Sequence, residues 1–413
     1  MAYWVCLLLV VATVSWRPNT LYAGGVDSVM LAKAVLSVLA LAMAWHARLS
    51  CHRPQPIRTA AIWFMITYVA LSTFGAWSTG EVGPSAVLAI RLLLTALTVI
   101  LLTRTVEWNH LLKAWLSAIL TVAAVAAITG LPSVADGRLA GGVPALHPNE
   151  MAVLWSLPAV ALTWLLFQGR AHSAHVLLLA TSIGLVWLTG SRTSVMAIIV
   201  AIGSMAIQAR RLTQPVLFGA LVVLCASVYL ALTTNILNAY FLRGGAESVT
   251  TLNSRTIAWS VAFSFSDSDW VRWMGAGLAT KELPVLGQYW DSQVIDSSWI
   301  AALVQAGRVG VIVLATWILV TLLRSVSEPS TRRMAFTGFL AFLLVQTFLQ
   351  SGLVDSAPSF ITFLIISLIA GSSSSLRAPT RRGPLKLDQV PAVPSSTVLE
   401  GQAGLTASVT ERS

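Results

Sequence analysis

Apolar positions run along this chain in long unbroken stretches, and polar positions collect in the gaps between them. The stretches lie at 2–16, 26–46, 57–77, 84–103, 111–130, 149–167, 175–190, 192–208, 214–232, 298–323, 333–351 and 357–371. Each approaches the roughly 20 residues that carry a helix across a hydrocarbon core of ~30 Å. They are continuous rather than alternating, and a helix satisfies its own backbone in lipid, so they predict helices and not the strands of a barrel. The pattern predicts an all-α, polytopic integral membrane protein with about twelve transmembrane helices. The first stretch, Ala2 to Trp16, reads as a retained helix, because it lacks a basic leading segment and a small-x-small cleavage site before Arg17-Pro18. Beyond Gly371 the pattern stops in a run of serines, Ser372 to Ser375, followed by Arg377, Arg381, Arg382, Lys386 and scattered Pro, Ser and Thr. Such a segment cannot bury enough apolar surface to offset its ordering entropy. The expected organisation is a membrane domain over 1–371 and a disordered tail over 372–413.

Composition sharpens this picture. The chain is 56% hydrophobic and 10% charged, against about 25% charged in a soluble domain, which excludes a soluble enzyme carried on a single anchor. The net charge of +10 raises the question of nucleic acid, and the placement of the cations answers it. With the N-terminus inside, sixteen of the 26 Lys and Arg fall on inner segments, among them Arg48, Arg53, Arg58, Arg104, Arg170, Arg210, Arg211, Arg324, Arg332 and Arg333. The outer segments hold Arg17, Arg138, Arg192, Arg243, Arg255, Arg272 and Lys281, while Lys33, Arg91 and Arg308 lie within spans. That asymmetry is the positive-inside rule, so both termini are expected in the cytoplasm and no nucleic-acid partner is implied. The three cysteines, Cys6, Cys51 and Cys225, form neither a disulfide framework nor a metal-ligand spacing.

With short inner loops, chemistry is expected outside or in the membrane. One outer connection, 233–297, is about 65 residues long, and loops of that length tend to be functional. It carries Trp259, Trp270, Trp273 and Trp290 and an apolar stretch from Thr256 to Phe265, which predicts short helices lying at the interface. A second outer loop ends in His147-Pro148-Asn149-Glu150, a helix entry in which Asn149 is placed to cap. His147, alone among six histidines in falling outside, is either a cap or a functional group. Third is the tight turn Thr189-Gly190-Ser191-Arg192, where Arg192 either snorkels or meets an anion at the start of the next helix. Fourth, Arg91 and Arg308 lie about two and three turns inside their spans, where a charge is costly unless paired or facing a cavity.

These segments, in order, match a family. Gly137-Arg138 leads through a Gly-rich stretch to Pro148-Asn149, Thr-Gly-Ser-Arg follows at 189–192, and the long loop opens with Asn253-Ser254-Arg255 and Trp259. Gly275-x-Gly277 then precedes Ala306-Gly307 and Gly310. The chain resembles, from about Gly137 to Leu319, the O-antigen ligase and polymerase superfamily of bacterial membrane glycosyltransferases. The resemblance implies a GT-C-like bundle in the bacterial cytoplasmic membrane. It also implies transfer of a glycan from an undecaprenyl-diphosphate-linked donor to a hydroxyl of a glycan or glycolipid acceptor on the outer face, without metal or other cofactor. Arg192 and Arg255 match the family's arginines and Arg138 is a weaker third; a guanidinium can hold two phosphate oxygens at once. Arg91, His147, Asn149 and Arg308 are further candidates for substrate binding. Where the family carries His-Asn-x-Tyr-Leu, this chain has Asp296-Ser297-Ser298-Trp299-Ile300. Asp296 therefore either accepts the acceptor proton or orients an arginine. The competing reading, a transporter or flippase for a lipid-linked or polar solute, would favour internal repeats and broken helices at mid-membrane, and no repeat is evident.

Overall fold

A computed structural model describes residues 1–17, 27–209, 255–264, 268–284 and 292–372. The predicted span at 214–232, the loop opening with Asn253-Ser254, and the tail from 373 onward lie outside the described residues. Every other predicted stretch folds as a helix: α1 (Ala2–Thr13), α2 (Ser28–Leu49), α3 (Ala60–Gly75), α4 (Val82–Thr105), α5 (Trp108–Gly130), α6 (Pro148–Phe167), α7 (Ser173–Leu188) and α8 (Arg192–Gln208). After two short helices, α9 (Arg255–Phe263) and α10 (Asp269–Met274), come α11 (Ser298–Val326), α12 (Ser330–Leu349) and α13 (Pro358–Ile369). Six of these, α2, α4, α5, α6, α11 and α12, are long and apolar enough to cross a membrane. The other apolar helices, α1, α3, α7, α8 and α13, are shorter; twelve residues rise only about 18 Å.

The shortness of α1 has a local cause. Lys33 Nζ donates to the carbonyl of Val14 at 2.7 Å and Arg91 donates to that of Ala12 at 2.9 Å. Cations from α2 and α4 thus satisfy carbonyls that a longer helix would bond internally, and they sit at the negative end of its dipole. Val14 turns into extended conformation and the helix stops.

The loop hydrogen bonds sort into two ends. At one, Gln55 N donates to Arg104 O at 2.7 Å, Arg58 N to Leu368 O at 2.9 Å, and Gly371 N to Glu328 Oε1 at 2.6 Å. At the other, Leu139 N donates to Leu188 O at 2.9 Å and Ser298 N to Gln350 O at 3.1 Å. Successive helices therefore run alternately between the two ends. In the middle stand α6, with fourteen of twenty residues buried, and α13, buried throughout. By contrast α2 buries only three residues and exposes Leu31, Val35, Val38, Leu39 and Trp45, a surface suited to acyl chains. Helices in lipid associate through packing and hydrogen bonds, and both are present: Trp115 Nε1 donates to Thr362 Oγ1 at 3.0 Å, and Trp164 Nε1 to Thr331 O at 3.1 Å.

The 255–297 region departs from an all-α pattern. Two three-residue strands, β1 (Glu282–Pro284) and β2 (Ser292–Val294), pair antiparallel with Leu283 opposite Gln293. Strands that short carry no readable alternation. The same region explains two glycine motifs. Helix α11 breaks at Gly307, whose φ of 66° is left-handed, and the break releases the carbonyls of Val304 and Gln305. They accept from Ala276 N at 2.7 Å and Gly277 N at 3.1 Å. A Cβ on Gly307 would collide with the Trp273 carbonyl, and one on Gly275 with the Gln305 backbone. Gly275-x-Gly277 and Ala306-Gly307 are two halves of one joint.

Candidate functional site

Three of the segments singled out above meet at the loop end of the bundle, around the start of α6. Arg138 Nε donates to Thr189 O at 2.8 Å, and its Nη2 donates to Asn149 Oδ1 at 3.0 Å. The loop before α6 is thereby tied to the turn before α8. Asn149 does not cap α6; the N-cap is His147, whose Nδ1 accepts from Asn149 N at 3.3 Å. Pro148, which has no N–H to satisfy, takes the first helical position, and this leaves the Asn149 amide for Arg138. His147 is exposed.

The turn itself is built from Thr189, which caps α7 and donates to Val186 O at 2.6 Å, and Gly190, whose φ of 68° reverses the chain. Arg192 is the first residue of α8 and half-buried. Below it, Ser191 Oγ donates to Ser194 Oγ at 3.1 Å, and Gln346 of α12 donates to Ser194 at 3.0 Å.

The third segment arrives through α12. Gln350 Nε2 donates to Asn149 O at 3.4 Å, while the Gln350 carbonyl accepts from Ser298 Oγ at 2.7 Å. Ser297 Oγ donates to Thr347 O at 3.1 Å and Trp299 Nε1 to Thr347 Oγ1 at 3.0 Å. Asp296, half-buried, stands immediately before this anchored pair of serines. Gln346 and Gln350 are thus the residues that join α6, α8 and α11, and sequence reasoning passed over them. A signal existed: two glutamines at i and i+4 in an apolar run share one helix face, and polar groups at that depth turn inward.

Around them lies a cavity of only about 10 Å³, lined by Ser298, Gln346, Thr347, Gln350 and Ser359, room for no more than one water. The Oε1 of Gln346 is buried there without a partner among the described residues.

The other candidates fall elsewhere. Arg91 bonds the end of α1, as described. Arg308 is not enclosed three turns down a span: the break at Gly307 brings it to the surface, where it is exposed and stacks over Trp273 at 5.5 Å. Arg255 opens α9, and its side chain lies outside the described part of the molecule. A further ion pair unforeseen from the sequence joins Lys281 to Asp355 and holds the base of the β1–β2 hairpin against the loop between α12 and α13. Neither comparison with protein-family models nor comparison with curated proteins finds a match for this chain.

Proposed function

We propose that this chain is a glycosyltransferase of the O-antigen ligase and polymerase kind, which moves a glycan from an undecaprenyl-diphosphate donor to an acceptor hydroxyl at the outer face of a bacterial cytoplasmic membrane. One observation carries the reading: the segments bearing Arg138, Arg192 and Asp296, scattered over some 160 residues of sequence, are hydrogen-bonded into one cluster at one end of the bundle. Cations at helix starts suit the diphosphate, whose departure needs its growing negative charge stabilised. Arg138 and Arg192 serve this role together with Arg255. Asp296 either takes the acceptor proton or holds an arginine in place. The apolar faces between helices accept the polyprenyl chain, and no metal is required.

The same reading makes the loop end the outer one, with twelve spans and both termini in the cytoplasm. Arg58, Arg104, Arg324 and Arg332 then lie at the inner end, as the positive-inside rule demands.

The test is to incubate purified protein with undecaprenyl-diphosphate oligosaccharide. Lengthening of the glycan without any second acceptor identifies a polymerase, and reaction only after a glycolipid is added identifies a ligase. Arg192→Ala and Arg255→Ala are each expected to lower the rate about 100-fold or more at unchanged protein yield. A wild-type protein inert towards every lipid-linked donor overturns the proposal.

A further inference from the structure

Glu150 is the third residue of α6, next to Asn149 and therefore next to the Arg138 cluster. Its carboxylate is stabilised by the backbone N–H of the N-cap residue His147, as at the third position of a capping box. A cap alone would leave this residue unremarkable, yet three further observations bear on it. Its side chain is exposed although α6 is otherwise the buried centre of the bundle, so it faces an opening and not a packed interface. It makes no ion pair among the described residues; Lys33 of α2 is the cation whose charge reaches it, and the Lys33 ammonium is held on the Val14 carbonyl. Beside it, Asn149 is tied by its side-chain oxygen to Arg138 and by its carbonyl to Gln350.

An ionisable residue at this depth is costly unless it is paired or used. Adjacent residues of a helix point about 100° apart, so Asn149 turns to the arginine cluster while Glu150 turns into the opening beside it. That juxtaposition places a carboxylate next to Asn149, the hydrogen-bond partner of Arg138, one of the groups assigned to the diphosphate.

We propose that Glu150 is the proton acceptor of the transfer, and that Asp296 orients an arginine instead. The inference rests on the glycosyltransferase reading above. In the step, the acceptor hydroxyl gives its proton to the Glu150 carboxylate as its oxygen attacks the anomeric carbon of the donor. The anomeric C–O bond to phosphate breaks, its electron pair leaves with undecaprenyl diphosphate held by the arginines, and the proton passes from Glu150 to water.

Glu150→Gln is the decisive variant, because a glutamine still accepts the capping N–H but cannot take a proton. With full-length protein and undecaprenyl-diphosphate oligosaccharide, kcat is expected to fall at least 100-fold with donor KM and the melting midpoint unchanged. Glu150→Asp, which keeps the carboxylate but shortens its reach, is expected to recover part of that loss. Asp296→Asn is expected to raise donor KM and to keep kcat within tenfold. A Glu150→Gln enzyme that retains more than a third of the wild-type kcat overturns the proposal and leaves Glu150 as a cap. In that case the wild-type enzyme still transfers glycan and the glycosyltransferase reading survives, whereas a wild-type protein that transfers nothing sinks both.

Discussion

Lys33 and Arg91 reach the same end of α1 from two different helices, and each is held on a backbone carbonyl. From the sequence, Arg91 looked like a charge in need of a partner or a cavity, and Lys33 like one shallow enough to snorkel. A free helix end serves as well, because its last carbonyls carry partial negative charge and lack internal partners. Arg91→Met is therefore expected to lower stability by about 1.5–3 kcal/mol, the contribution of a hydrogen bond to a charged group. The check is a drop in the melting midpoint in detergent while donor KM stays at its wild-type value. His147 and Asn149 teach the complementary lesson. The helix start at Pro148 was legible, but which side chain caps it was not. Once Arg138 claims the Asn149 amide, the neighbouring histidine does the capping.

At the scale of elements, the apolar stretches located α1–α8 and α11–α13, because runs of that length have no other way to satisfy their backbone in lipid, while the two short helices between them were expected only as interfacial pieces of the long loop. Helix ends shifted where tertiary partners intervened, as at α1. The joint between α10 and α11 was visible only as two separate glycine motifs. It forms because a break at Gly307 frees carbonyls that the 275–277 segment, some thirty residues earlier, then satisfies. Gly307→Ala forces a side chain into left-handed backbone and against the Trp273 carbonyl. The backbone strain alone costs about 1–3 kcal/mol, so α10 is expected to undock. Faster proteolysis within 268–297 and altered fluorescence from Trp270 and Trp273 would report it, and wild-type protection in the variant contradicts the joint.

Across the whole molecule, hydrogen bonds between loops divide the bundle into two ends, and the cations divide with them. Arg58, Arg324 and Arg332 gather at one end, where Arg58 bonds the Gly371 carbonyl and Arg332 stacks over Trp108 at 5.1 Å. The opposite end carries the arginine and glutamine cluster. The proposed orientation is testable with single cysteines in a background free of Cys6, Cys51 and Cys225. Asp136→Cys is expected to react with an impermeant maleimide in intact cells. Arg170→Cys and Ser327→Cys are expected to react only after the membrane is opened, and the reverse pattern inverts the assignment.

The sequence by itself determined that this is a helical membrane protein, where its helices lie, and which segments deserve chemical scrutiny. Hydrophobic length and charge are properties of contiguous residues, so they survive without a fold. Tertiary structure alone decided that Arg138 meets Asn149 and Thr189, that Gln346 and Gln350 join three helices, and that Arg308 lies at the surface. It also decided that Glu150 is exposed at the start of a helix whose next fourteen residues are buried. Each of those depends on which helix faces which across the bundle, and in lipid that choice rests on a few interhelical hydrogen bonds and close backbone contacts, which leave almost no periodic trace along the chain.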